Sequence, residues 1–236
     1  YVAAENNPLI KKKQVDAVEL FSALMQERAN TGRIYIQNVD HCNTHGAFNP
    51  DVAPVKQSNL CMEIALPTKP LKHIHDEDGE IALCTLSAFN LGKLENLDDL
   101  EEWADLAVRA LDNLLDYQDY PVKAAEISTL ARRSLGVGVI NYAYYLAKNG
   151  LRYDESAVEL THKTFEAIQY YLLKASNKLA IEKGACDYFG QTQYAQGLMP
   201  VDTYKKDIDS YCKTKLQYDW TTLATEIGMF GLRNST

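Results

Sequence analysis

The sequence predicts a helix-rich α/β fold, on three observations. A strongly amphipathic helix follows Asn96, a second long helical pattern runs from about Ala157 to Glu182, and short stretches rich in β-branched and aromatic residues precede and separate them. No internal repeat or low-complexity linker interrupts the 236 residues, so a single domain over 1–236 is expected.

The elements follow in order. Val15, Val18, Leu20, Phe21, Leu24 and Met25 fall at helical spacing over 15–28, with Gly32 as the stop. Arg33 to Val39 reads as a short strand, and His41 to Pro54 as a loop by its Asn, Gly and Pro content. Ser58 to Leu66 reads as extended, closed by Pro67 and Pro70; Lys72 to Glu80 is a charged turn, and Ile81 to Leu91 is apolar enough for a buried strand. Asn96 is placed to cap the next helix, whose first turn holds Asp98, Asp99, Glu101 and Glu102 at the positive end of the dipole. Leu100, Trp103, Ala104, Ala107, Val108, Leu111, Leu114 and Leu115 give it one apolar face, and Pro121 ends it. Leu135 to Ala147 reads as a buried strand leading into a helix, since Gly136 and Gly138 interrupt any helix there. The second long helix puts Phe165, Ile168, Leu172, Ala175 and Leu179 on one side. After Gly184 the chain is loop-rich, with a short helix from Trp220 to Met229.

Composition narrows the functional classes. A net charge of −8 without a basic tract argues against a nucleic-acid partner. Cysteines at 42, 61, 84, 186 and 212 include no CxxC pair, which favours reduced thiols in a cytosol over a disulfide framework. No secretory signal opens the sequence. The longest apolar run, Val137 to Ala147, contains Asn141 and is well short of the roughly 18 residues a membrane span needs. These features predict a soluble, cytoplasmic protein with no membrane partner. Tyr1 at the start and Gly231 to Thr236 at the end read as cuts in a longer chain.

The stretch richest in chemistry is Ser58-Asn59-Leu60-Cys61-Met62-Glu63-Ile64. In an extended backbone Asn59, Cys61 and Glu63 share one face, with Leu60, Met62 and Ile64 packed behind. An amide, a thiol and a carboxylate within about 13 Å, at ~3.3 Å per residue, surround one small ligand. The same pattern fits a half-buried strand with a structural cysteine.

Ser58 to Pro70 resembles the finger-loop motif of the class Ia ribonucleotide reductase large subunit, bacterial or phage type. The similarity continues upstream through Arg33 to His45 and downstream through Ile81 to Leu91, Leu135 to Asn141 and Gly231 to Thr236, so it covers essentially the whole chain. The resemblance implies an internal portion of a ten-stranded α/β barrel carrying the active-site finger loop. It gives Cys61 the role of the thiyl radical that takes the 3′ hydrogen of the substrate ribose. Glu63 becomes the general base on the 3′ hydroxyl, Asn59 the amide that orients the sugar, and Cys84 one of two thiols that supply electrons and end as a disulfide. Ser58 and Leu86 join Asn59 and Glu63 as substrate-binding positions.

The same resemblance implies reduction of ribonucleoside diphosphates to deoxyribonucleoside diphosphates for DNA precursor synthesis. It implies no cofactor in this chain, a small subunit with a dimetal centre and tyrosyl radical, and a thioredoxin- or glutaredoxin-type reductant. The second reducing cysteine would lie before Tyr1, and the phosphate-binding loop and relay tyrosines after Thr236. The isolated piece is therefore expected to be inactive and to need the remainder of the large subunit. The alternative is a split-gene product that serves as a scaffold for its complementary fragment.

Other features carry weaker signals. His41, Cys42 and His45 with His73 and His75 suggest zinc, but their spacing matches no regular site and polar loop histidines are the plainer account. Gly136-Val137-Gly138 lacks the third glycine of a dinucleotide motif, with Asn141 in its place, and reads as tight packing. Tyr142, Tyr144, Tyr145, Tyr170 and Tyr171 have the helical spacing of packing residues. Arg132 and Arg133 read as a solvated or salt-bridged pair, and Cys42, Cys186 and Cys212 as unreactive.

Overall fold

A computed structural model describes residues 2–83, 85–212 and 214–235. Residues 1–37 and 38–236 form separate units.

The first unit holds α1 (Val2–Glu5) and α2 (Ala17–Thr31). Asp16 starts α2, its carboxylate accepting from the N–H groups of Val18 and Glu19 at 2.9 Å. Gly32, left-handed at φ 65°, ends it by donating its N–H to the Arg28 carbonyl. The helix expected over 15–28 is present and runs one turn further. The strand expected over 33–39 is not there: residues 33–38 have no regular structure, and Val39 opens a helix. β-Branched residues become a strand only when a neighbouring strand takes up their backbone groups.

The second unit begins with that helix, α3 (Val39–His45), which occupies the start of the loop expected over 41–54. Asn43 staples it to the following segment. Its amide donates to the carbonyls of Val39 and Val55 and its carbonyl accepts from the Val55 N–H, each at 2.8 Å. Phe48, Ala53, Val55 and Leu66 form a small core beneath the stretch that carries the candidate site.

Two short strands, β1 (Leu86–Asn90) and β2 (Gly136–Ile140), pair in parallel with Leu86 opposite Gly136 and Asn90 opposite Ile140. The strand expected from Ile81 is thus confined to its second half. Parallel neighbours need a long crossover, and here it contains α4 (Asp99–Tyr117) and α5 (Lys123–Arg132). Asn96 does not cap α4: Asp98 holds the cap position, and the Asp99 carboxylate instead accepts from the Asn96 N–H at 3.0 Å. The helix stops at Tyr117, short of Pro121, and Leu114 stands half exposed at the edge of its apolar face. α5 lies where the sequence pattern predicts no element. Ala124, Ala125 and Ala131 are buried there without forming a marked apolar stripe.

β2 runs directly into α6 (Tyr142–Lys148), as the sequence predicts, and a 3-10 turn at Glu155–Ala157 leads into the long α7 (Val158–Lys183). Leu100, Ala104 and Val108 of α4 pack with Ala167, Ile168, Tyr171, Ala175 and Leu179 of α7, against Phe89 of β1 and Leu91. Full burial of one leucine contributes about 1.5–3 kcal/mol, so this layer anchors the strand pair. Phe165, expected on the buried side, stays 43% exposed and packs edge-on to Tyr142. α8 (Pro200–Thr203) and α9 (Trp220–Phe230) complete the order, α9 burying Trp220, Leu223 and Ile227 with Leu173 and Leu232. Among the described residues, no helix is long and apolar enough to cross a membrane.

Candidate active site

The candidate residues occupy an irregular segment that folds back against the strand pair. Strict alternation fails at its tip. Asn59 to Met62 form a turn closed by the Met62 N–H on the Asn59 carbonyl at 3.2 Å, and Met62 adopts a left-handed φ of 68°. A left-handed backbone at a residue with a side chain is sparsely populated and tends to occur where function requires it. Leu60, expected to pack behind the site, is instead 80% exposed, and Cys61 beside it is exposed at the turn.

The turn brings Asn59 and Glu63 together by another route. The Asn59 amide donates to Glu63 Oε1 at 2.6 Å, while Asn59 Oδ1 accepts from the Ile64 N–H at 3.1 Å. Ser58 Oγ donates to the Ile64 carbonyl at 2.7 Å and to Asn59 Oδ1 at 3.2 Å, closing the base of the turn. Ser58, Asn59 and Glu63 therefore form one hydrogen-bonded set, with the Cys61 thiol carried on the loop that joins them.

Two hollows flank this segment, and Ile64 and Leu66 line both. One, of about 450 Å³, is lined by Ser58, Asn59, Thr68, Lys69 and Glu80. The other, of about 510 Å³, is lined by Glu63 and Leu86 together with Thr85, Ser87, Ser134 and the backbone of Gly136 and Gly138. Asn59 and Glu63 thus face different hollows, and Glu63 shares its own with Leu86. Cys84, the reducing thiol that the resemblance implies, lies outside the described residues.

Small residues keep the second hollow open. A Cβ at Gly136 would meet Leu86 Cδ2 at 2.5 Å, whereas Gly138 has open space above it. Gly136 thus serves close packing, as its sequence context suggests, and the exposed Gly138 forms floor. The hollow's other walls, Ser87 and Ser134, carry no sequence signal beyond their nearness to Leu86 and Gly136.

Ion pairs with buried members adjoin both hollows. Arg132 pairs with Glu80, which also holds Lys69 at 2.6 Å. Burial works to raise the Glu80 carboxyl, but the hydrogen bonds from Lys69 and Arg132 outweigh it and hold the group below the usual carboxylate range. Arg133 is likewise buried and paired with Asp112 and Asp116. Both arginines are salt-bridged, and neither is solvated. Among the described residues, His, Cys, Asp and Glu side chains do not gather in a group of three or more that could hold a metal ion.

Comparison with known proteins gives this geometry its context. A family model described as the ribonucleotide reductase barrel domain matches residues 1–236. The chain is 73% identical over 237 residues to the ribonucleoside-diphosphate reductase subunit alpha of Haemophilus influenzae. It is 67% identical to ribonucleoside-diphosphate reductase 1 subunit alpha of Escherichia coli, and 50% identical to the subunit alpha of enterobacteria phage T4. Each alignment takes in the whole of this chain and 31% of the relative's length. With a match over every residue, and with parallel strands and packed helices of the mixed kind an α/β barrel uses, the chain belongs to the ribonucleotide reductase barrel-domain family.

Proposed function

We propose that this chain is the thiol-bearing portion of the catalytic barrel of a ribonucleoside-diphosphate reductase large subunit, contributing strands and the finger loop to a ten-stranded barrel. The observation that carries the proposal is the Asn59–Glu63 hydrogen bond beneath an exposed Cys61 on a left-handed turn. That arrangement suits a radical thiol and a base acting on the hydrogen and the hydroxyl of one ring carbon.

In this mechanism the substrate ribose occupies the hollow lined by Glu63 and Leu86. The Cys61 thiyl takes the 3′ hydrogen atom and becomes a thiol, leaving a carbon radical at C3′. Glu63 accepts the proton of the 3′ hydroxyl, and the 2′ hydroxyl leaves as water after protonation by a thiol. Asn59 holds the Glu63 carboxylate, and Ser58 fixes the base of that turn. Cys84 and a second thiol outside this chain supply two electrons and end as a disulfide. Returning the 3′ hydrogen regenerates the Cys61 radical. The parts outside this chain are the remainder of the large subunit, a radical-generating small subunit with a dimetal centre, and a thioredoxin- or glutaredoxin-type reductant.

The test is made in the full-length subunit assembled with its small subunit. Cys61→Ser abolishes turnover, because an O–H bond is too strong to form and return the radical. Glu63→Gln allows the radical chemistry to begin but slows water loss by about 10²–10⁴-fold, the worth of a positioned base. Cys84→Ser blocks the reducing step and diverts the sugar radical into decomposition products. Rapid-quench sugar analysis with radical spectroscopy separates the three stages. Normal turnover by Cys61→Ser would sink the proposal.

A further inference from the structure

A charge cluster with a buried centre adjoins the Glu63 hollow, and the proposed chemistry uses none of its side chains. Its centre is Asp112 of α4, with no solvent exposure. Arg133 Nε donates to Asp112 Oδ1 at 2.6 Å, and its two terminal nitrogens donate to Asp116 at 2.8 and 2.9 Å. One of them also reaches the Asp112 carbonyl at 2.7 Å. All three guanidinium nitrogens thus donate to α4.

The backbone of Arg133 is unusual. It caps α5 in the left-handed conformation, φ 52° and ψ 42°, which a side-chain-bearing residue adopts only when its surroundings hold it there. The next three residues, Ser134, Leu135 and Gly136, line the Glu63 hollow and lead into β2. The segment after α9 braces the same turn from the other side. Asn234 donates its amide to the Arg133 carbonyl at 3.0 Å and to Asp112 Oδ1 at 3.1 Å. Ser235 donates its N–H to the Arg132 carbonyl at 3.0 Å, and its hydroxyl meets that of Ser134 at 2.8 Å.

We propose that Arg133 is a positioning residue: its guanidinium, fixed between Asp112 and Asp116, holds the left-handed turn that presents Ser134 to Gly136 as a wall of the Glu63 hollow, and so sets how a substrate ribose is seated there. The proposal rests on the reading of that hollow as the ribose site. Asp112 also faces Arg233 at 3.4 Å and Lys183 at 3.6 Å, so losing the Arg133 side chain does not leave the buried carboxylate without a cation. Glycine at 133 accepts the left-handed backbone freely. Arg133→Gly therefore removes the anchor while sparing both the buried charge and the turn's conformational tolerance.

The test compares Arg133→Gly with Ile168→Ala, a core truncation in α7 away from the hollow, in the full-length subunit assembled with its small subunit. Arg133→Gly is expected to raise KM for a nucleoside diphosphate about tenfold with kcat within about threefold, and to speed amide hydrogen exchange over residues 134–137. Ile168→Ala is expected to lower Tm while leaving KM within about twofold. Unchanged KM and exchange in Arg133→Gly overturns the proposal, as does an equal KM change in Ile168→Ala. If Arg133→Gly does not fold, Ser235→Ala, which removes only the hydroxyl contact to Ser134, is read for the same KM rise, and an unchanged KM overturns the proposal. If the unsubstituted enzyme reduces no nucleoside diphosphate, the functional reading fails by itself, and the exchange rates over 134–137 decide the positioning role.

Discussion

Cys186 follows α7 in a buried pocket of backbone, its N–H donating to the Leu232 carbonyl at 3.0 Å, and burial pushes its thiol up to about 11. Cys61 is exposed on its turn. Thiol reactions proceed through the thiolate, so a buried thiol with a raised value has little nucleophile to offer near neutral pH. Alkylation of the folded protein at pH 7.5 with mass-spectrometric readout should leave Cys186 unmodified until unfolding, while Cys61 is labelled. Equal labelling of the two would contradict the burial argument. The same contrast separates a structural thiol from a candidate catalytic one, although both are single cysteines with no motif partner in sequence.

At the scale of elements, glycines around α9 give opposite expectations. Gly228 lies on the exposed face of the helix, and an added Cβ meets nothing within 4 Å. Gly228→Ala should stabilise the protein by about 0.5–1 kcal/mol, by lowering the entropy of the unfolded chain and improving helix propensity. Gly231 ends the helix at φ 76°, and a Cβ there would lie 2.6 Å from the Ala185 Cβ. Gly231→Ala should cost roughly 1–3 kcal/mol, since a left-handed backbone and a close contact oppose it together. Thermal unfolding of the pair checks this. A fall in Tm for Gly228→Ala, or none for Gly231→Ala, would show that α9 and its exit are placed differently. Sequence periodicity is enough to find α4, α7 and α9 because each has a continuous apolar face. It does not find α5, whose small buried alanines resemble those of any tight segment.

For the molecule as a whole, depressed carboxylates set the acid limit of stability. The hydrogen bonds of Arg133 hold Asp116 below its ordinary 3.8, and Glu80 lies below its ordinary 4.5 because Lys69 and Arg132 outweigh the opposing effect of burial. A group with a lower value in the folded state stabilises the fold above its unfolded value and loses that contribution as pH falls through the folded one. The urea midpoint should therefore hold from pH 7 to about pH 5 and drop below about pH 4.5. Glu80→Gln should lower the midpoint at pH 7, and its gap from the parent should close as pH falls. Parallel curves for the two proteins would remove Glu80 from the account.

Several outcomes were legible in residue order alone. The α/β class follows from local periodicity, the β2–α6 passage from the two glycines before an aromatic run, and the family from motifs in sequence along the chain. These are local properties, decided within a turn or two of backbone. What only the tertiary structure decided depends on partners far apart in the chain. Val39 to His45 is held as a helix by the stapling of Asn43 to Val55, and among the described residues no strand pairs with it. Asn59 and Glu63 meet through a left-handed turn at Met62, where alternation would have aligned them through an extended strand. Arg132 and Arg133 look alike in sequence, yet one pairs with Glu80 and the other with Asp112 and Asp116, because the left-handed step at Arg133 turns the second side chain toward α4. The physical reason is the same in each case: a buried polar group must find its partner in space, and spacing along the chain does not specify which distant segment supplies it.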